Sequence, residues 1–89
     1  MIRNPEFEIV DISGEYMAVP VGETSHSFRG IVALNDASAF LLKKLDSQRD
    51  KIDLIQLLSS EFDVDEVTAA YDIEEFLKKM IELGVIIET

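Results

Sequence analysis

The pattern of apolar and polar positions changes once along the chain, near Asn35. Before this residue, short runs rich in β-forming residues are separated by turn residues, a pattern that is typical of strands. After it, apolar residues recur at spacings of three and four, which is typical of amphipathic helices. The sequence therefore predicts a group of strands followed by a group of helices.

Three strands are predicted in the first part of the chain. The first two, Phe7–Ile12 and Tyr16–Val19, flank Ser13-Gly14, and glycine tolerates the positive φ of a tight hairpin turn. Pro20 cannot donate a hydrogen bond to a ladder, so it should end the second strand or lie at an edge. The third strand is predicted over Phe28–Leu34, with alternate side chains on opposite faces.

Three helices are predicted after the strands, each preceded by a residue that can accept a hydrogen bond from a free backbone N–H. The third helix is the longest and runs to about Leu83, and Gly84 can adopt the left-handed conformation that closes a helix. The apolar tail Val85-Ile86-Ile87 is expected to pack back on the sheet. The predicted capping residues are Asn35, Asp50, and either Asp63 or Asp65.

Each predicted helix has one apolar stripe, so all three can share a core with the sheet. The predicted fold class is α+β and winged-helix-like, with three N-terminal antiparallel strands, then three helices and a short apolar C-terminal tail. The stripes are Ala37, Phe40, Leu41 and Leu45 in the first helix, Leu54, Ile55, Leu58 and Phe62 in the second, and Ala70, Ile73, Leu77, Met80 and Ile81 in the third.

Length and composition limit the chain to one small domain, residues 1–89 with a core over about 7–88. The chain has 89 residues, of which 47% are apolar, as in ordinary globular proteins. It has no cysteine, which excludes disulfides, zinc–thiolate sites and thiol nucleophiles. Its apolar runs are too short for a membrane span or a signal peptide, so a cytoplasmic location is expected.

The net charge of −10 narrows the choice of partner further. It is concentrated in residues 46–89, which hold 12 acidic and 4 basic residues. A negative field repels phosphate backbones and anionic lipids, so neither nucleic acid nor a membrane is expected as a partner.

The sequence offers no set of residues for catalysis or for a cofactor. His26 is the single histidine and lies in a predicted loop, without the partners of a catalytic triad or a metal site. Residues 63–66 lack the glycine and the distal glutamate of a calcium loop. Glu74-Glu75 precede Lys78-Lys79 by one helical turn, a spacing that is typical of solvated ion pairs. The chain is therefore predicted to be a binding module, not an enzyme, with no cofactor and no metal.

Several short motifs follow one another in an order that is fairly specific when taken together. The chain resembles the PqqD family, named for pyrroloquinoline quinone biosynthesis protein D, and the resemblance extends from about Phe7 to Glu88. It departs from the family in lacking a tryptophan in the first helix and a glycine after Asn35, so the quinone pathway and other modified-peptide pathways both stay open. The motifs are Val19-Pro20-Val21-Gly22-Glu23, Leu34-Asn35, Ala39-Phe40-Leu41 with Leu45, Phe62-Asp63-Val64-Asp65, Asp72-Ile73 with Phe76-Leu77, and Leu83-Gly84-Val85-Ile86.

The resemblance implies a non-catalytic peptide chaperone. Such a protein binds the leader segment of a ribosomally made precursor peptide as an extra strand, over a cleft walled by the third helix. It presents the leader to a modifying enzyme, commonly a radical S-adenosylmethionine enzyme. An edge strand independently suits this mode, because its unpaired backbone groups can bind an extended peptide. The chain itself is expected to be a monomer or a weak dimer.

The residues predicted to contact the leader come from two elements. The third strand contributes a continuous segment, and periodicity selects one flank of the third helix. The acidic second half of the chain favours a leader with Lys or Arg beside its apolar anchors. The predicted contacts are Arg29, Gly30, Ile31, Val32, Ala33 and Leu34 on the strand, and Val67, Ala70, Tyr71, Glu74 and Lys78 on the helix.

Two other functions remain alternatives. The first is a winged-helix DNA-binding regulator, which the negative charge and the lack of a basic helix face disfavour. The second is a general protein-interaction domain without specificity for leader peptides.

Overall fold

The computed structural model describes residues 1–22 and 30–88 of the chain. These residues contain five strands and three helices. A three-stranded antiparallel sheet precedes the three helices, which confirms the predicted fold class. No helix within the described residues is long and apolar enough to cross a membrane. The elements are β1 Ile2–Arg3, β2 Phe7–Ile12, β3 Glu15–Pro20, β4 Val32–Leu34, α1 Asp36–Lys44, α2 Lys51–Phe62, α3 Glu66–Glu82 and β5 Ile86–Ile87.

The hairpin of β2 and β3 closes through a two-residue turn. Ser13 and Gly14 both have positive φ, 55° and 84°, as the favoured two-residue hairpin turn requires. The Asp11 carboxylate accepts a hydrogen bond of 2.8 Å from the Gly14 N–H and holds the turn. The predicted hairpin and its turn are thus confirmed.

The third predicted strand is shorter than expected. Pairing with β3 covers Val32–Leu34 alone, and Gly30 and Ile31 precede the strand. Extending the register would put Gly30 opposite Pro20, which has no N–H to donate, and Gly30 instead bends the chain at φ 139°. Phe28 and Arg29 lie outside the described residues.

Side-chain caps begin all three helices. The side chains of Asn35, Asp50 and Asp65 each accept a hydrogen bond from the backbone N–H three residues later. Asp63, the other candidate for the third cap, ends α2 in the left-handed conformation at φ 52°. Of the two candidate caps, Asp65 therefore begins α3.

The C-terminal tail pairs with the start of the chain and not with the three-stranded sheet, although its Val85 and Ile86 belong to the same buried core as residues of that sheet. After α3, Gly84 turns the backbone at φ 78°, and β5 then pairs antiparallel with β1. The Asn4 side chain donates to the Gly84 carbonyl oxygen at 3.0 Å and joins the two ends. Val85 can be buried completely because its backbone groups are paired: its N–H donates to the Met80 carbonyl oxygen, and its carbonyl oxygen accepts the Asn4 N–H.

One hydrophobic core joins the sheet, the helices and the tail. The predicted stripes supply most of it, but Ala69 and not Ala70 is buried in α3. Phe62, at the end of its stripe, stays 37% exposed and packs edge-on against Phe40. The buried members are Phe7, Ala18, Leu41, Leu42, Leu45, Leu54, Leu58, Ala69, Ile73, Leu77, Met80, Val85 and Ile86.

Two isoleucines on helices provide a matched test of this core. Ile73 is fully buried in α3, whereas Ile52 in α2 is 65% exposed. We expect Ile73→Ala to lower the free energy of unfolding by about 2–5 kcal/mol, because it leaves a cavity. Ile52→Ala should change it by less than about 0.5 kcal/mol. Urea unfolding followed by circular dichroism measures both, and equal losses would contradict the assigned core.

The Asp65 cap should make the free energy of unfolding depend on pH in the acidic range. Hydrogen bonds from the backbone and then the side chain of Thr68 lower the pKa of Asp65 below its usual 3.8. A lowered pKa means that the ionised cap stabilises the fold above pH 3.8, and that this contribution is lost as the pH falls through the folded-state pKa. Asp65→Asn keeps an acceptor but does not titrate. The difference in urea midpoint between the two proteins should therefore stay constant near neutral pH and change in acid, and a constant difference at every pH would contradict this role.

Candidate functional site

The outer edge of β4 is the feature from which the candidate site is built. The sheet has the strand order β2-β3-β4, and no other described strand pairs with β4. An unpaired edge exposes backbone N–H and C=O groups to which an extended chain can bind.

The hairpin register determines which backbone groups point outward. A tight turn closes with a hydrogen bond between its first and fourth residues, which makes Ile12 and Glu15 a bonded pair. Bonded and non-bonded pairs alternate along an antiparallel ladder, so Tyr16 and Ala18 of β3 direct their backbone groups away from β2 and toward β4. Their partners on β4 are Leu34 and Val32, whose backbone groups therefore point to β3. Those of Ala33 point outward.

A cleft lies beside this edge, between β4, the start of α1 and one flank of α3. Its volume is about 460 Å³. That is roughly three times the volume of a ~150 Å³ cavity able to hold benzene, so two large side chains can enter. Apolar side chains from all three helices line the cleft and form what we call its floor, namely Leu41, Leu58, Phe76 and Met80.

The rim of the cleft on α3 is polar and carries a net negative charge. Asp72, Glu75 and Lys79 follow one another at helical spacing, beside the buried stripe, and all three side chains are exposed. Two carboxylates against one ammonium group favour a cationic side chain on a bound peptide. The α1 side of the cleft adds uncharged polar groups from Asn35 and Ser38.

The predicted strand residues have different surroundings. Ala33 is exposed and lines the cleft, while Val32 and Leu34 are half-buried and pack against the core. Ile31 is 57% exposed, and Gly30 is also exposed. Arg29 lies outside the described residues. Of the predicted strand residues that the structure describes, Ala33 is therefore the one that lines the cleft.

The structure does not bring the predicted helix residues to the cleft. Val67, Tyr71, Glu74 and Lys78 are exposed on α3 about a third of a turn from the cleft flank. Glu74 forms an ion pair with Lys51 of α2, so its expected pairing with a lysine one turn later is replaced by a contact between helices.

Ala70, the remaining predicted helix residue, is half-buried and does not line the cleft either. That any of these five helix residues contacts a peptide stays a prediction.

The cleft residues on α3 were visible in the sequence but interpreted otherwise. The sequence pattern of Glu75 and Lys79 predicts solvated ion pairs, and Asp72 stands out only as part of a family motif. The signal was present, because Asp72, Glu75, Phe76 and Lys79 follow helical spacing as regularly as the predicted flank does. Two flanks border one buried stripe, and periodicity alone does not tell which flank faces β4.

The described residues contain no cluster of three or more histidine, cysteine, aspartate or glutamate side chains that could hold a metal ion. His26 lies outside the described residues. The features of the described site are therefore a free strand edge, an apolar floor and a charged rim, which suit the binding of an extended chain.

A winged-helix-like α+β domain with a free strand edge beside a helical cleft is thus the class of protein that the fold and site define. The profile of the PqqD family, described as coenzyme PQQ synthesis protein D, matches residues 10–86. The chain belongs to this family.

Two solved structures have a similar fold. "TbiB1 in Complex with the TbiA(beta) Leader Peptide" has a TM-score of 0.74 at 15% identity, over 96% of this chain and 93% of the other. "Lasso peptide synthetase B1 complexed with the leader peptide" has a TM-score of 0.73 at 22% identity, over 97% and 95%. A search of curated proteins gave no match.

Proposed function

We propose that this chain is a non-catalytic adaptor that binds the leader segment of a ribosomally made precursor peptide. It presents the leader to a peptide-modifying enzyme, such as a radical S-adenosylmethionine enzyme. The free edge of β4 at the mouth of the cleft is the observation that carries the proposal. Membership of the PqqD family supports it, as do the two solved structures of similar fold, each with a leader peptide bound.

The leader would bind as a fourth strand of the sheet, antiparallel to β4. The leader residue opposite Ala33 exchanges two backbone hydrogen bonds with it. Its two neighbours then direct their side chains to the face on which Val32 and Leu34 meet the core, and that face opens into the cleft. Backbone bonds supply affinity in this arrangement, and the two neighbouring side chains supply specificity.

The recognised segment is short, because β4 is limited on both sides. Gly30 bends the chain before the strand, and the Asn35 carbonyl after it accepts the Ala39 N–H at 3.0 Å. We therefore expect a recognition motif with two cleft-facing residues separated by one. An apolar side chain would fill the floor, and a Lys or Arg would pair with Asp72 and Glu75 at the rim.

Binding to duplex DNA is disfavoured by the charges of α3, the longest helix. It has five acidic residues and two lysines, and the whole chain has a net charge of −10. Phosphate contacts need lysine and arginine, so this helix suits a basic peptide better than a nucleic acid.

The strand-addition mode gives a prediction for individual amides. The Ala33 N–H points outward in the free protein, whereas those of Val32 and Leu34 point to β3. We expect a short peptide encoded beside the gene to slow the hydrogen exchange of Ala33 at least tenfold and to change Val32 and Leu34 much less. Exchange followed by nuclear magnetic resonance measures this. Protection that is absent, or equal at all three amides, would argue against the mode.

Two neighbouring glutamates test which flank of α3 holds the leader. Glu75 lies at the rim of the cleft, whereas Glu74 pairs with Lys51 outside it. We expect Glu75→Gln to weaken a leader containing Lys or Arg by about 0.2–1 kcal/mol, up to about fivefold in Kd, as for other exposed ion pairs. Glu74→Gln, the matched control, should leave the Kd unchanged in calorimetric titrations. The reverse result would assign the leader to the flank predicted from periodicity.

A further inference from the structure

The most exposed large apolar side chains of the described residues lie on α2 and α3, away from the cleft. Val67 is 83% exposed, Tyr71 68% and Ile52 65%. Ile31 and Ile12, the next in order, are 57% and 56% exposed. Side chains that are this exposed bury little apolar area and contribute little to the free energy of unfolding, so they are available for another contact.

Val67 and Tyr71 lie on α3 and Ile52 lies in the first turn of α2, and we call these three exposed side chains the outer patch. Val67 and Tyr71 are four residues apart and therefore adjacent on one face of α3. Glu74, three residues after Tyr71, pairs with Lys51, the neighbour of Ile52 in sequence. This ion pair brings the first turn of α2 beside the turn of α3 that follows Tyr71.

The outer patch and the cleft lie on different sides of α3. The cleft uses the flank that contains Asp72 and Phe76, and the patch lies about a third of a turn away. The patch borders the rim of the cleft at Tyr71, four residues before Glu75, but it does not include the edge of β4, which therefore stays available to a peptide. One helix can in this way serve two partners at once.

Acidic residues outnumber the unpaired bases around the outer patch, where Lys78 is an exposed base on the same flank of α3. Asp63, Asp65 and Glu66 are all exposed around the start of α3, close to Val67. Lys51, a base beside the patch, is already paired with Glu74. An apolar centre with an exposed tyrosine and a negative rim complements a surface with an apolar pocket ringed by Lys and Arg.

We propose that the outer patch docks the peptide-modifying enzyme, through an apolar pocket ringed by basic residues, while the leader occupies the cleft. The inference rests on the proposed function, which requires an adaptor to hold a leader and an enzyme together. Tyrosine is a frequent anchor at such interfaces, where a few residues supply most of the binding energy.

The test uses the full chain and the purified modifying enzyme encoded beside its gene. We expect Val67→Ala/Tyr71→Ala to weaken enzyme binding by about 10- to 100-fold, as the loss of an interface anchor does. Leader affinity should change less than about twofold, and alanine, a good helix former, keeps α3 intact. Ile12→Ala, which removes an equally apolar side chain from the hairpin, is the matched control and should bind like the unmodified chain.

Salt provides a second measurement. Raising the salt concentration from about 0.1 M to about 0.5 M should weaken enzyme binding, because it screens the acidic rim.

Three results would overturn the docking proposal. Enzyme binding that is unchanged in the double variant would do so, as would a leader that shifts the amide signals of Val67 and Tyr71 and loses affinity in that variant. Failure of the enzyme to bind the unmodified chain, while the leader still binds, would overturn the docking proposal and leave the proposed function intact. If the leader does not bind either, it is the proposed function that fails.

Discussion

The ladder between β3 and β4 is the constraint on which the candidate site depends. It holds three residue pairs, and extending it by two more would set Gly30 opposite Pro20, which has no N–H to donate. The hairpin turn, in which Ser13 and Gly14 take positive φ, sets the register between β2 and β3. That register determines which residues of β3 direct their backbone groups to β4. A slip of one residue would turn the backbone groups of Ala33 inward and its side chain to the core. The turn therefore determines, at a distance, which atoms are offered to a peptide.

Helix α3 presents three different sides around its circumference. Its buried stripe, which includes Ile73 and Met80, holds the helix against the core. One flank forms the rim of the cleft through Asp72 and Glu75, and the other carries the exposed outer patch. Because the buried stripe anchors the helix, substitutions on either flank should affect binding without disturbing the fold.

What the sequence predicts well is local, and what it misses depends on distant contacts. The hairpin turn and the caps at Asn35 and Asp50 were predictable because the residues that form them lie within four positions of one another. The pairing of residues 86–87 with residues 2–3 spans nearly the whole chain and leaves no local signal. The same holds for the cleft flank of α3, since both flanks repeat with one period and only the packing of β4 and α1 distinguishes them.

In the proposed strand addition, the negative charge of the second half of the chain would add selectivity that backbone hydrogen bonds lack. Backbone hydrogen bonds to Ala33 are available to almost any extended peptide, so they provide affinity with little discrimination. Discrimination must then come from the apolar floor and from Asp72 and Glu75 at the rim. A field with this net charge also attracts basic segments before contact and raises their association rate, while it repels acidic competitors. The cleft and the outer patch lie in the same field, so salt dependence does not separate the two proposed interactions, and substitutions on separate flanks of α3 are needed to distinguish them.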